Sequence, residues 1–313
     1  MRRAVVLMNL GGPDSLEAVR PFLYNLFSDP AIIGLPTPLR QILARLIAWR
    51  RSAVAGEMYA HLGGASPLLA NTEAQARALE TELGDGYRCF IAMRYWRPLT
   101  AATVEAVKAW EPDEIVCLPL YPQYSTTTTG SSLAAWRREA ARQRLDRPTR
   151  MIRSYPVAAG FIAALAGETA KTLAAAGSNE RVRLLLSAHG LPLKIVRAGD
   201  PYPAGIAQTA QAVVAALAVP DLDWRVCYQS RVGPLAWLGP AVDEEIRQAG
   251  NERVALVVAP ISFVSEHSET LVELDRDYRR VAERCGVPAY RRVKTVGTDP
   301  QFIAALADLV KAA

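Results

Sequence analysis

Side chains suited to metal or proton chemistry gather in one short stretch of the chain. His267 and Glu269 follow the apolar run at 254–260, and Glu273 and Asp277 continue at intervals of four residues. Imidazole and carboxylate groups bind divalent first-row metals, and imidazole also takes up protons near neutral pH. The stretch therefore indicates a site for transient metal binding or for proton transfer.

A second histidine stands in a matching position elsewhere in the chain. His189 comes shortly after the apolar run at 182–187, and the chain has only three histidines. A histidine satisfied within the core is the ordinary explanation for His189 or His267 alone, but together with Glu269 they favour a site. The spacings HExxH and HxxxH, typical of tight zinc sites, are absent from the sequence. We therefore expect a metal here to be a substrate and not a fixed cofactor.

The acidic residues of this stretch predict one stripe of an α-helix. Glu269, Glu273 and Asp277 are spaced at i, i+4 and i+8 and so share a face. Leu271 and Leu274 fall on the roughly opposite side, so the acids are expected to face away from the core. Two interpretations stay open, since like charges at this spacing repel: a solvated face offset by nearby arginines, or a row that attracts a cation.

Apolar runs that alternate with helical periodicity must position these groups. The runs have the composition of buried parallel strands and predict strands at 4–10, 87–94, 115–119, 182–187, 224–229 and 254–260. Strands that alternate with helices twice over predict an α/β fold of two doubly wound, Rossmann-like parallel-sheet domains facing one cleft. Ligands of such sheets bind outside the carboxyl ends of the strands, which is where His189 and His267 lie.

The length of 313 residues favours two domains over one. Residues 1–147 are expected to form the N-terminal domain, and residues 148–313 the C-terminal domain that carries the metal and catalytic residues. The last helix, at 301–310, is expected to pack on the N-terminal domain. The turn at 11–15, GGPDS, does not match GxGxxG, and no acid follows about 20 residues on in the expected strand context, so we predict no dinucleotide site.

Composition limits the class of partner and the compartment. The 36 basic and 31 acidic residues give a net charge of +5, but no run of lysines and arginines interleaved with aromatics indicates a nucleic-acid surface. The four cysteines are far apart and form no CxxC pair, which argues against a structural zinc site and a disulfide scaffold. A reducing, cytoplasmic location is expected. No stretch reaches the roughly 18 apolar residues of a membrane span, and the N-terminus does not resemble a signal peptide.

The segment 22–47 is unusually apolar and also contains Arg40 and Arg45. It predicts either buried core or an exposed apolar lip that meets a membrane or a hydrophobic ligand, with the arginines meeting anions. Peripheral membrane association is therefore an expectation beside the cytoplasmic location.

Aromatic side chains occur repeatedly at predicted loop or strand-end positions, namely Tyr95, Tyr121, Tyr124, Trp237 and Phe263. Each one alone is explained by packing, but together they favour a large, planar, apolar ligand. The predicted loop at 121–132 is also rich in hydroxyls and ends at a predicted helix N-terminus, which suits an anionic or planar ligand.

Five separated motifs resemble the ferrochelatase family, which inserts Fe(II) into a porphyrin. They are NLGGPDS, LYPQYSTTTTGSS, LLLSAHGLP, YQSRVGPLAWLGP and APISFVSEHSETLVELD, in the order that the family has them. The resemblance extends from about residue 4 to residue 310 and implies two Rossmann-like domains without a nucleotide. It also implies a porphyrin held in the cleft, ferrous iron as the second substrate, and no fixed cofactor.

The resemblance also implies roles for individual residues. His189 matches the family's invariant histidine and Glu269 its essential glutamate, and the two form the metal-contacting and proton-accepting pair, with the division of roles left open. Porphyrin-binding positions are matched by Leu10, Arg94, Tyr95, Tyr124, Ser230, Trp237 and Phe263. Further polar positions of the cleft are matched by His267, Glu273 and Asp277. Segment 22–47 corresponds to the family's apolar lip.

Three details of the sequence refine this resemblance. Thr126 stands where relatives with an iron–sulfur cluster have a cysteine, so no cluster is expected. Glu266 replaces the aspartate that some relatives have before the second histidine. The motif ETLVELD is more similar to that of relatives that use protoporphyrin than to that of relatives that use coproporphyrin. The alternatives are a porphyrin or haem carrier without chemistry, and a chelatase for another divalent metal or tetrapyrrole.

Overall fold

The computed structural model describes residues 1–176 and 181–313 and contains two four-stranded parallel sheets. The first sheet has the order β2-β1-β3-β4 and consists of β1 (Arg3–Asn9), β2 (Tyr87–Met93), β3 (Glu114–Pro119) and β4 (Thr149–Met151). The second has the order β6-β5-β7-β8 and consists of β5 (Val182–His189), β6 (Asp223–Gln229), β7 (Ala255–Pro260) and β8 (Tyr290–Arg292). The predicted α/β class with two parallel sheets is confirmed.

Helices flank both sheets. Those up to β4 are α1 (Val19–Phe27), α2 (Thr37–Ala60), α3 (Leu68–Leu83), α4 (Thr100–Trp110) and α5 (Ser131–Arg142). Those after β4 are α6 (Ala159–Ala174), α7 (Leu193–Arg197), α8 (Tyr202–Leu217), α9 (Val242–Glu252), α10 (Arg279–Arg284) and α11 (Pro300–Ala312). Two π-helices, Thr126–Gly130 and Glu269–Tyr278, complete the description.

The chain divides into two compact units. One unit comprises residues 1–154 with 306–313, and the other comprises residues 155–305. The division falls after Ser154 and not after residue 147, because β4 pairs with β3 and so belongs to the first sheet.

The central strands form the core of each unit. Every residue from Ala4 to Met8 in β1 is at most 1% exposed, and β7 is buried along its whole length. Parallel strands covered on both faces must be apolar at successive positions and not only at alternate ones. This is why the strands could be predicted from continuous apolar runs.

The prediction of an α-helix at the acidic stretch is wrong, because residues 269–278 form a π-helix. The prediction of a loop throughout 121–132 is also wrong, since 126–130 form a π-helix, in which the amide of Gly130 donates to the carbonyl of Ser125 at 3.0 Å. A π-helix closes i→i+5 hydrogen bonds, is rare, and occurs frequently at functional sites. Hydrophobic periodicity in the sequence does not distinguish it from an α-helix or a turn.

The segment 22–47 contributes to the core and also leaves an apolar face in water. Phe22 and Ala44 are buried. In the first half of α2, Leu39, Ile42, Leu46 and Trp49 are each at least half exposed. Their spacing places them on one face of the helix. Within the two described ranges, no helix has the length and the apolar character required to cross a bilayer.

Candidate functional site

One carboxylate lies between two imidazole rings at the carboxyl edge of the second sheet. His189 is the last residue of β5, and Glu269 opens the second π-helix, which follows the neighbouring strand β7. The Nε2 atom of His189 is 3.7 Å from Oε1 of Glu269, and Nε2 of His267 is 3.5 Å from Oε2. Each oxygen of Glu269 therefore faces a different ring.

Backbone and side-chain contacts hold the two histidines. The amide of His189 donates to Oγ of Ser262 at 3.1 Å, and its carbonyl accepts from the hydroxyl of Tyr202 at 3.1 Å. Nδ1 of His267 lies 3.0 Å from the carbonyl of Ser265. Because a carbonyl only accepts, that nitrogen carries the proton and Nε2 faces Glu269.

Exposure differs between the two rings. The side chain of His189 is 43% exposed and that of His267 is 11% exposed. Phe263 packs against both of them, with ring centroids 6.4 Å from His189 and 4.7 Å from His267. The accessible imidazole of the pair is therefore His189.

The pKa values of Glu269 and Glu273 are shifted in opposite directions. Burial raises the pKa of Glu269, but the charges of His189 and His267 outweigh it and lower this pKa to about 2. For Glu273, burial and then the charge of Glu269 raise the pKa, against the hydrogen bonds that it accepts. Glu269 therefore stays ionised at neutral pH.

Glu273 is not part of a solvated stripe, so that interpretation of the acidic row is wrong. Its carboxylate accepts from the amide of Ser230 at 2.8 Å, from Oγ of Ser230 at 2.5 Å, from Nε2 of Gln229 at 3.0 Å and from the hydroxyl of Tyr278 at 3.3 Å. Asp277 is the member of the row nearest to solvent and pairs with the adjacent Arg276. Ser230, which the resemblance assigns to the porphyrin, holds Glu273 in this structure.

A bifurcated ion pair joins the two sides of the site. Arg292, in β8, donates to both carboxylate oxygens of Asp275 at 2.8 and 2.7 Å and to Oε1 of Glu266 at 2.6 Å. Glu266 directly precedes His267, and Asp275 lies within the second π-helix. The arginine thus ties the loop that carries His267 to the helix that carries Glu269.

Replacing Arg292 with methionine is expected to destabilise the fold by about 3 kcal/mol, because two partly buried carboxylates lose their cation. Urea denaturation measures the change. The control is Arg276→Met, which removes a more exposed pair with Asp277 and should cost less than about 1 kcal/mol. Equal losses from the two substitutions would show that Arg292 is an ordinary surface residue.

In the first unit, Arg94 and Tyr95, which the resemblance assigns to the porphyrin, contact a buried acid. Asp29 accepts from Nη2 of Arg94 at 2.7 Å, from the hydroxyl of Tyr95 at 2.8 Å, and from Oγ of Ser131. Nε of Arg94 also donates to Ser131 at 2.7 Å. Tyr95 is 1% exposed, and burial raises its pKa, with the charge of Asp29 adding to the effect. No pattern in the sequence identifies Asp29 as the partner of these residues.

The remaining assigned residues are aromatic or apolar. Leu10 packs against the cluster that contains Tyr95. The guanidinium of Arg153 lies 5.2 Å from the centroid of the Tyr124 ring. Trp237 pairs through its backbone with Pro192 in the second unit. In the part of the chain that the structure describes, no three histidine, cysteine, aspartate or glutamate side chains are placed to hold a metal ion together.

Comparison with known protein families gives one result over the whole chain. The family model described as Ferrochelatase matches residues 2–313. A curated relative named Ferrochelatase from Phenylobacterium zucineum is 55% identical over 313 residues, covering 98% of this chain and 90% of the relative. Ferrochelatase from Caulobacter vibrioides is 53% identical, with 98% and 89% covered. Ferrochelatase from Wolbachia sp. subsp. Drosophila simulans is 48% identical, with 99% and 98% covered.

Solved structures show the same fold at lower identity. SirB from Bacillus subtilis with Fe³⁺ matches with a TM-score of 0.57 and 13% identity, over 99% of this chain and 95% of that one. CbiX, whose structure is described as that of the terminal enzyme for biosynthesis of siroheme in denitrifying bacteria, matches with a TM-score of 0.54 and 17% identity, over 100% and 99%. These likenesses support the two-domain chelatase fold and nothing finer.

Proposed function

The chain belongs to the ferrochelatase family of enzymes, which insert a metal into a porphyrin to form haem, and from this premise we propose that it inserts Fe(II) into protoporphyrin IX. Two pyrrole protons leave the macrocycle as the iron enters, so the site needs a group that attracts the cation and a group that takes protons. The carboxylate of Glu269 between the rings of His189 and His267 is the observation that supports this proposal.

The geometry favours different roles for Glu269 and His189. Glu269 keeps its negative charge, because its pKa is lowered to about 2, and a carboxylate is a suitable ligand for a divalent iron ion. His189 is the more exposed ring and is suited to accept pyrrole protons near neutral pH. Glu273 and Asp277 then lead protons or metal ions along the π-helix. No fixed cofactor and no iron–sulfur cluster are part of this proposal.

Anaerobic mixing of the protein with Fe(II) and either protoporphyrin IX or coproporphyrin tests the reaction and the substrate together. Porphyrin absorbance should change to that of the metallated product, faster with protoporphyrin. Binding of porphyrin without turnover would instead identify a carrier. Turnover with another divalent metal but not with Fe(II) would contradict the choice of iron.

Arg94 is proposed to bind a porphyrin carboxylate, and its replacement gives a further prediction. Arg94→Leu is expected to raise the KM for porphyrin more than it lowers kcat, because a charge-assisted hydrogen bond to the bound substrate is lost. The control is Arg97→Leu, an exposed arginine three positions on. An unchanged KM with a lower melting temperature would limit Arg94 to its ion pair with Asp29.

The apolar face of α2 is proposed to contact a membrane peripherally. Four apolar side chains are exposed together on this face: Leu39, Ile42, Leu46 and Trp49. The same helix also exposes Arg45 and Arg50, whose positive charges would attract anionic lipid headgroups. Ile42→Ser combined with Trp49→Ser should reduce cosedimentation with anionic vesicles at least about ten-fold, since each large apolar side chain contributes about 1.5–3 kcal/mol when buried. Leu235→Ser, at an exposed apolar residue elsewhere, is the control. Equal binding by all three proteins would contradict the proposal.

A further inference from the structure

Gln229 is a fully buried amide at the carboxyl end of β6, the edge strand beside β5. Its Nε2 donates to the carbonyl of Glu269 at 2.9 Å and to Oε2 of Glu273 at 3.0 Å. Its Oε1 accepts from Oγ of Ser187 at 2.8 Å. A primary amide has two N–H donors, and both of those on Gln229 are directed at the second π-helix.

The carbonyl of Glu269 fixes the direction in which the amide points. Because a carbonyl only accepts, Nε2 of Gln229 must face it, and Oε1 then faces Ser187, whose hydroxyl donates. Ser187 is also fully buried and stands in β5 two positions before His189. The amide thus connects the strand that ends in His189 with the first turns of the helix that begins with Glu269.

We propose that Gln229 is a positioning residue for metal insertion, which holds the carboxylate of Glu273 and the first turn of the π-helix in register with His189. This inference rests on the proposed function and concerns the same site. Gln229 supplies one hydrogen bond to the backbone of the π-helix and one to a side chain on it. Without the amide, Glu273 loses a buried donor and the first turn loses its link to β5 and β6.

A double-mutant cycle distinguishes positioning from general stability. Gln229→Leu is expected to lower kcat/KM for Fe(II) by about 10–100-fold, as loss of a supporting partner around a metal site typically does. In a protein that already carries Glu273→Gln, the fold-loss in kcat/KM caused by Gln229→Leu should be at least about ten times smaller than in wild type. The reason is that the partner through which Gln229 acts is already altered. Independent, multiplicative losses in the cycle would overturn the proposal.

Two further variants keep the test decisive when leucine disturbs folding. Gln229→Glu keeps the shape and the oxygen that accepts from Ser187, but it removes both donors, so it should be as impaired as Gln229→Leu. Thr169→Val removes a buried hydroxyl that donates to the carbonyl of Leu165 within α6. It should lower the melting temperature while kcat/KM stays within about two-fold of wild type, alone and with Glu273→Gln.

Metal insertion by the wild-type protein distinguishes a failure of the proposed function from a failure of the proposed role of Gln229. A wild-type protein without metal insertion would overturn the proposed function and the role of Gln229 with it. An active wild type whose Gln229→Leu and Gln229→Glu variants retain kcat/KM within about two-fold would overturn the role of Gln229 alone.

Discussion

His189→Ala is expected to lower kcat for Fe(II) insertion by about 10²–10⁴, the range that loss of a positioned proton-transfer group typically causes. The imidazole of His189 is 3.7 Å from Glu269 and is the more exposed of the two rings. The backbone amide of His189 donates to Ser262 and its carbonyl accepts from Tyr202, so alanine keeps the backbone in place and removes only the ring. Porphyrin binding should change only a few-fold, because the aromatic and apolar contacts remain.

Steady-state turnover and fluorescence titration with porphyrin measure the two quantities for this variant. His61→Ala provides the matched control, since His61 is exposed at the end of α2. Its kcat should equal that of wild type. Wild-type turnover by His189→Ala would remove this residue from the chemistry, and a large loss of porphyrin binding would instead assign it to substrate binding.

Glu269→Gln should lower kcat at least about 100-fold, because it keeps the shape of the side chain but removes the charge between two imidazoles. The matched control is Glu283→Gln on α10, where the side chain is exposed. A Glu269→Gln variant as active as wild type and melting at a higher temperature would show that the carboxylate is only a source of repulsion.

The same substitution predicts a pH dependence of stability. The pKa of Glu269 in the fold, about 2, lies below the value of about 4.3 for a glutamate in an unfolded chain. The ionised form therefore stabilises the fold fully above the unfolded pKa, and this contribution is lost as the pH falls toward 2. The difference in urea midpoint between wild type and Glu269→Gln should shrink as the pH is lowered from about 6 to about 3. A difference that grows on acidification would contradict the assigned ionisation state.

The central strands could be predicted because their physical requirement is simple. A parallel strand buried on both faces must be a continuous apolar run, as β1 and β7 are. The edge strand β8 has only three residues, which is too short to produce such a signal. Helix α9 was not predicted either, although acids in its first turn fit a helix N-terminus.

Of the site residues, only those at or after the ends of predicted strands could be predicted. His189 ends β5 and Glu269 follows β7, its neighbour in the sheet, so their proximity is a consequence of topology. The partners of these groups could not be predicted in the same way. Asp29 meets Arg94, and Gln229 meets Glu273, through side-chain directions that no local pattern specifies. Gln229 nevertheless ends a strand, as His189 does, and that position was the available signal.

The pairing of β5 with β7 has a consequence for the order of folding. His189 and Glu269 come from distant parts of the chain and meet only after these two parallel strands have aligned. Non-local parallel pairing is a slow step, since the entropy of closing a long loop is lost before any contact forms. A chain in which this sheet is incomplete therefore keeps His189 apart from Glu269 and His267, which are close to each other in sequence. Capture of iron between His189 and Glu269 by a nascent or partly unfolded chain is disfavoured for this reason.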